Sequence, residues 1–568
     1  MDRITASVLA GLMILFSCNS PDRKRDAESK PGQVSTVWKA DNGDGTYRNP
    51  VLYADYSDPD VIRAGDDFYL VSSSFNCVPG LPVLHSRDLV NWRIVNHVFT
   101  RQLPDSVFKT PQHGKGVWAP SIRFHDGEFY VYYGDPDFGI YMSKTANPLG
   151  RWSTPYLVAP AKGWIDPCPF WDDDGKAYLV HAFAGSRSGR KSILVIHRMN
   201  QKGTRFLDDG VLVFDGHDAH PTIEGPKLYK RNGWYYIFAP AGGVAPGWQT
   251  VLRSRNIYGP YEDRIVLHQG NTRINGPHQG AWIELANGES WFLHFQDKGA
   301  YGRIVHLQPM QWKDDWPVIG SDEDGDGTGE PVESWRKPST GYNGELAGMQ
   351  ESDEFNSPEA GLQWQWHANP QPEWMFLSGS EGYMRLYCNF FRAEEPDLHE
   401  NHNLREAPNF RKDPNLWEVP NLYLQKFPAP AFTATAKLDF NPRQEGDQTG
   451  LVIMGMSYAA IVLVQADGAI QYRVLEHTDA EHGGTVKKTV PVDLDCREVY
   501  LRVSISDSAR CRFSISTDGQ EFTPAGEVFT AVPGKWIGAK VGLFALGNVR
   551  TNDTGWADFD WFRITGNQ

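Results

Sequence analysis

The sequence predicts an all-β protein in which a β-propeller is followed by a β-sandwich. Two patterns carry this expectation: five self-similar hairpin units within residues 46–340, and longer alternating strands over residues 351–568. The clearest unit opens with Ile223-Glu224-Gly225-Pro226, where an acid heads the stretch Lys227-Leu228-Tyr229 and a turn at Asn232-Gly233 leads to Trp234-Tyr235-Tyr236. Asp58-Pro59 leads likewise through Val61-Ile62 and Gly65-Asp66 to Phe68-Tyr69-Leu70. Ala119-Pro120 leads through Ile122 and Asp126-Gly127 to Phe129-Tyr130-Val131, and Asp166-Pro167 through Phe170-Trp171 and Asp174-Gly175 to Tyr178-Leu179-Val180. A looser copy runs from His278-Gln279-Gly280 through Trp282-Ile283 and Asn287-Gly288 to Trp291-Phe292-Leu293.

Hairpin units that recur every 47 to 61 residues signal a propeller, whose blades bury their faces only against one another. Asp-Gly and Asn-Gly turns between short alternating strands supply the local hairpin chemistry. The innermost strand of each blade lines the central channel, so equivalent positions of distant units converge there. Asp58, Asp166 and Glu224 are acids at such positions, Glu224 one residue further from its Pro than the other two. A single acid there reads as a turn residue or a strand cap. Three do not stabilise a fold, because close carboxylates repel and burial disfavours their charge; together they mark a candidate reaction site.

From the N-terminus, Arg3 precedes the apolar run 8–16, which has the length of a signal sequence and is too short to span a bilayer. The run closes on Leu15-Phe16-Ser17-Cys18, which resembles a bacterial lipobox with a bulkier Phe16 than usual. The resemblance implies a signal peptide over residues 1–18 and lipidation of Cys18. Residues 19–45 are polar and read as a flexible tether. The expected location is that of an exported bacterial lipoprotein, periplasmic or at the outer membrane or cell surface, touching the membrane only through Cys18. Five further cysteines, Cys77, Cys168, Cys388, Cys496 and Cys511, are too sparse for a disulfide framework and read as packing residues. Whether Cys496 and Cys511 pair stays open.

Residues 317–350 are rich in Gly, Pro, Asp and Ser and set a domain boundary. Within them Asp322, Asp324, Asp326, Gly327 and Glu333 fit the spacing of an EF-hand loop. No amphipathic helix flanks them, Pro331 lies inside, and Gly329 takes the apolar position, so an acidic turn is the expectation. Beyond residue 351, strands such as Ala434-Thr435-Ala436-Lys437-Leu438-Asp439-Phe440 and Tyr500-Leu501-Arg502-Val503-Ser504-Ile505, with turns at Asp467-Gly468 and Asp518-Gly519, form the sandwich. Trp364, Trp366 and Trp374 read as packing residues, with sugar contact as the alternative. Asp353, Asp558 and Asp560 are a candidate structural calcium position where the first and last strands of the sandwich pair.

The 568 residues require more than one domain. A net charge of −15 argues against nucleic acid and anionic bilayers as partners. Twenty Trp, 23 Tyr and 29 Phe provide surface for stacking against carbohydrate as well as for cores.

Asn49-Pro50, Ser57-Asp58-Pro59-Asp60-Val61-Ile62, Phe68-Tyr69-Leu70-Val71-Ser72-Ser73-Ser74-Phe75, His85-Ser86-Arg87-Asp88-Leu89-Val90-Asn91-Trp92 and Val117-Trp118-Ala119-Pro120 together resemble glycoside hydrolase family 43. The segments around Asp166, Glu224-Gly225-Pro226, His278 and Gly302-Arg303 continue the likeness in order. The resemblance implies five blades, and a sandwich like the concanavalin A-like module of exo-acting members. It implies an inverting β-xylosidase or α-L-arabinofuranosidase that removes terminal or side-chain pentose from plant hemicellulose or pectic oligosaccharides and polysaccharides, with no cofactor required for catalysis. It makes Asp58 the general base, Asp166 the orienting and pKa-tuning acid, and Glu224 the general acid. Phe75, Trp118 and Arg303 become sugar contacts and His278 part of the pocket floor. Ile165 departs from the aromatic of some xylosidases. Two alternatives stand beside this reading: an endo-acting arabinanase on the same propeller, and a surface glycan-binding lipoprotein without catalysis. The sandwich and the loop over residues 76–82, by closing one end of the channel, favour exo action.

Overall fold

The computed structural model describes residues 35, 37–379, 381–391 and 414–566. Residues 1–34, including the expected lipidation site Cys18, lie outside the described residues. Five four-stranded antiparallel sheets follow one another along the chain, each with its strands in sequence order. Their first strands are Asp60–Ala64, Trp118–His125, Trp164–Trp171, Lys227–Arg231 and His278–Glu284. These strands pack against one another around a central channel, so the five sequence units are the five blades of a propeller. At the hairpin tips Asp126-Gly127 and Asn232-Gly233 each place two successive residues at positive φ, 48° and 77° and then 51° and 73°, as a type I′ turn requires.

A polar belt links the inner strands of all five blades. Asp60 accepts from the Ile122 N–H at 2.7 Å and from Arg123 Nη1 at 2.6 Å, while Arg123 Nη2 donates to Cys168 Sγ at 2.9 Å. The Arg123 guanidinium lies over the Tyr229 ring, and the Tyr229 hydroxyl accepts from the Trp282 N–H at 3.2 Å. Cys168 is therefore an acceptor in the channel wall as well as a packing residue. The ring is clasped by segments outside the blades: Thr46–Arg48 pairs with Ser334–Arg336, and Leu52 bridges Val305 in the fifth blade.

The second part of the chain is a sandwich of a nine-stranded and a seven-stranded sheet. Strand Glu498–Ile505 shows its period-two logic, with Val499, Leu501, Val503 and Ile505 buried and the residues between them facing outward. Propeller and sandwich share one continuous apolar core. Val78, Leu81, Val83, Phe99 and Val117 of the first two blades join Trp364, Trp366, Phe432 and Leu451 of the sandwich.

The packing role of the tryptophans and the acidic turn agree with the structure, while the calcium position does not. Trp364, Trp366 and Trp374 are 1%, 6% and 8% exposed, which leaves no face for a sugar. Asp353, Asp558 and Asp560 do not assemble into a calcium position. Asp353 faces the core and accepts from Trp364 Nε1, Phe355 N–H and Gly361 N–H. On the strand Trp556–Thr565, Asp558 is held bidentately by Arg385, and Asp560 pairs with Lys437. Among the described residues the carboxylates that do converge, within 4.8 Å, are Asp322, Asp324 and Asp326. They form an acidic turn, not an EF-hand, because Glu333 is bound by Arg273 through two bonds of 2.9 and 2.7 Å. Cys77, Cys168, Cys388, Cys496 and Cys511 are all free thiols.

Trp364 stacks on Tyr423 at 4.8 Å and meets Phe562 edge-on at 5.0 Å. Replacing a buried Trp by Ala costs roughly 3–5 kcal/mol, so Trp364→Ala should lower the urea midpoint of the unfolding transition by that equivalent. Unchanged stability would mean that this core is not what holds the sandwich together.

Candidate active site

The residue ahead of the Pro or Gly in each sequence unit lies within two residues of the start of its blade's inner strand. Asp58, Ala119, Asp166, Gly225 and Gln279 occupy this place, and all five have positive φ, at 55°, 28°, 57°, 60° and 35°. In the fourth blade the position holds a glycine, and a Cβ there would lie 2.8 Å from the Gln279 side chain. The acid of that blade is therefore displaced by one residue, to Glu224, whose longer side chain recovers the reach.

Asp58, Phe75, Trp118, Ile165, Asp166, Glu224, His278 and Arg303 line one cavity of about 230 Å³. Every catalytic and sugar-contact residue expected from the sequence is thus brought together by all five blades and their loops. Reasoning from sequence missed Gln279, Thr222 and Val244 in the same wall, and above all Trp536, which comes from the sandwich. Trp536 stands at φ 66° and is half exposed, and its ring lies 6.3 Å from that of Trp118. Its positive φ is visible only in the structure, and the flanking Gly534 and Gly538 do not by themselves point to the site.

The three acids have different surroundings. Asp58 is 4% exposed and accepts from the Ser73 hydroxyl at 2.5 Å. Arg303 Nη1 lies 3.1 and 3.4 Å from its two oxygens. The Arg303 guanidinium is itself seated over Phe295 and Trp536. Asp166 is buried, accepts from the Gly225 N–H at 2.7 Å, and has Gln279 Nε2 at 3.4 Å. Burial raises its pKa well above the usual carboxylate range and the charge of Asp58 adds to this, against the pull of the Gly225 N–H, Lys227 and Arg303.

Glu224 makes no ion pair with Lys or Arg among the described residues, and its nearest charged-type neighbour is His278 Nε2 at 3.5 Å. Burial raises the Glu224 pKa first and the negative charges of Asp166 and Asp58 raise it further, with Arg303 opposing. Its side chain keeps 29% exposure to the open cavity, so its desolvation becomes complete only when a ligand fills the space. His278 is held neutral, its pKa pushed down to about 3 by burial and by the neighbouring Arg303. Neither of its ring nitrogens meets a hydrogen-bond partner among the described residues, which leaves the ring as a polar floor.

The loop that follows Phe75, residues 76–82, is bound to the sandwich by Asn76 Nδ2 donating to His367 O at 2.7 Å and by a bridge between Val78 and Trp366. Trp536 brings the sandwich into the cavity wall. The cavity is a pocket enclosed by both domains, with a braced carboxylate, a raised carboxyl and a third acid between.

Comparison with known proteins identifies the family. Residues 47–317 match the family model for glycosyl hydrolases family 43, and residues 352–565 that for a beta xylosidase C-terminal concanavalin A-like domain. A putative beta-xylosidase of Xylanibacter ruminicola is 40% identical over 90% of this chain and 88% of its own. A non-reducing end alpha-L-arabinofuranosidase of Bacteroides ovatus is 28% identical over 91% of this chain and 94% of its own. The crystal structure of a family 43 protein mutant from Bacillus licheniformis superposes with a TM-score of 0.77 at 27% identity, covering 92% of this chain and all of that one. The chain belongs to glycosyl hydrolase family 43 and is a glycoside hydrolase.

Proposed function

We propose that the enzyme removes a terminal or side-chain pentose, β-D-xylose or α-L-arabinofuranose, from plant hemicellulose or pectic glycans by single displacement with inversion. The observation that carries this reading is the contrast between Asp58 and Glu224. Inversion needs a carboxylate that takes a proton from water and a carboxylic acid that protonates the leaving oxygen from the opposite side. A cation and a hydroxyl donor brace Asp58. Burial and like charge keep a proton on Glu224. Two carboxyl groups with environments pushed apart divide the acid and base roles between them. The pocket volume and the closing loops support attack on one terminal sugar, with Trp118 and Trp536 as stacking walls for it and its neighbour. The relatives named for xylose and arabinofuranose support a pentose.

Digestion of arabinoxylan or arabinan oligosaccharides should release only monosaccharide from the first minutes, with nitrophenyl β-xyloside and α-L-arabinofuranoside separating the two sugars. Proton NMR of the fresh product should show the anomer opposite to the substrate's. Early longer products would favour the endo-acting reading, and a retained anomer would remove Asp58 as base. Glu224→Gln and Asp58→Asn should each lose roughly 10²–10⁴-fold in turnover. The Glu224→Gln loss should shrink on substrates whose leaving group needs no protonation.

The activity should also report the charge on Asp166. An acid catalyst works while protonated, so a raised Glu224 pKa carries activity to higher pH, and rate falls as pH rises through that value. Removing the negative neighbour in Asp166→Asn lowers the Glu224 pKa, and the basic limb of the kcat/KM profile should move to lower pH. A limb that stays in place would mean that burial alone sets it.

The Leu15-Phe16-Ser17-Cys18 stretch supports an exported, lipid-anchored enzyme. Cells producing Cys18→Ala should no longer incorporate labelled fatty acid into this protein. Unchanged labelling would place any anchor elsewhere.

A further inference from the structure

We propose that Asp55 is a positioning residue: its single carboxylate fixes Arg303 and the Trp536 loop relative to one another, and so joins the two domains at the reacting end of the pocket. The inference rests on the hydrolytic reading of that pocket. Asp55 is 3% exposed. Its Oδ1 accepts from the Arg303 backbone N–H at 2.9 Å, and its Oδ2 accepts from the Gly538 backbone N–H at 2.9 Å. One donor belongs to the propeller turn after Gly299–Tyr301, the other to the sandwich.

The two backbones are brought too close for side chains. A Cβ on Gly302 would lie 2.4 Å from Asp55 Cγ, and one on Gly538 would lie 2.7 Å from the Gly302 nitrogen. The Ala539 N–H donates to Ala300 O at 2.7 Å beside them. Tyr301, between, donates its hydroxyl to sandwich carbonyls at Pro430 and Ser506 and accepts from the Ala509 N–H.

What hangs from this junction is functional on both sides. Arg303 reaches from it to Asp58 at 3.1 Å. Trp536, two residues before Gly538, forms the mouth wall against Trp118. Asp55 itself does not line the cavity, so it acts only through these two residues. The geometry demands two acceptors: an Asn of the same shape turns an NH₂ toward one of two buried N–H donors and leaves it unpaired. A shift of about 1 Å at a positioning group costs up to about 10²-fold in rate.

The test compares full-length wild type, Asp55→Asn, Gly538→Ala and the double variant, on the nitrophenyl glycoside that wild type hydrolyses. Gly538→Ala pushes the loop off the junction without touching Asp55, and serves if Asp55→Asn does not fold. Each single variant should lose about tenfold or more in kcat, with KM moved much less and with the fold intact by circular dichroism at the assay temperature. The double variant should lose far less than the product of the two single losses, because both break one link. Normal kcat in the folded variants, or two losses that simply multiply, would overturn the proposal and leave Asp55 a residue of stability alone. An inactive wild type would instead undo the hydrolytic reading.

Discussion

The site depends on a backbone constraint. Near the start of each inner strand stands a residue at positive φ, and four of the five, Asp58, Ala119, Asp166 and Gln279, line the cavity. For residues other than Gly this conformation costs of order 1–3 kcal/mol, and it persists only where the surroundings over-determine it. Here they do, because the next residue is locked into the strand and the propeller repeats the same hydrogen-bonded frame. Asp tolerates the left-handed region better than most residues, which suits Asp58 and Asp166. Ala119 has no such tolerance, and its N–H is held by the hydroxyl of Ser73, the same hydroxyl that donates to Asp58. Conformational strain and the placing of the proposed base thus share a single side chain.

The electrostatics follow from that placement. Crowding Asp58, Asp166 and Glu224 around one cavity is unfavourable unless cations or protons offset them. Two cations are within their influence. Arg303 contacts Asp58 directly. Lys227 is fully buried and spends its hydrogen bonds on Pro120 O and Ser121 Oγ, so it acts on Asp166 through its field. Neither Asp166 nor Glu224 has a cation in contact, and burial together with like charge raises the pKa of both, so three carboxyl groups against two cations favour a proton held within this pair.

The blades and their acids were legible in the sequence because a propeller repeats its chemistry: Pro, hairpin turn and aromatic strand return at a fixed offset, and any deviation, such as Glu224 standing one residue early, is visible against the repeat. What the repeat does not encode was missed. Trp536 and Asp55 meet the site through contacts between residues some 230 to 480 positions apart, and no local pattern reports such pairings. The calcium position failed for a related reason. Asp558 and Asp560 share one face of their strand and find Arg385 and Lys437 there, whereas Asp353 pairs across from Phe562 and turns to the core. Closeness in strand order does not decide which side of a sheet a carboxylate faces. The tryptophans of the sandwich were ambiguous because an aromatic residue reads the same in a sequence whether it is buried at 1% or free to stack.

The role of the sandwich follows from how it is attached. An accessory domain that captured glycan on its own would need an exposed aromatic platform and a loose connection to the catalytic unit. This one has its early tryptophans inside the core it shares with the first two blades. Its contacts with the loop over residues 76–82 and with the turn after residue 299 combine backbone hydrogen bonds, Val78 with Trp366 and Ala539 with Ala300, with side-chain bonds made by Asn76, Gln365 and Tyr301. Of its described residues, Trp536 alone joins those lining the cavity. The second domain therefore meets the pocket through one aromatic residue held in place by the fold of the whole.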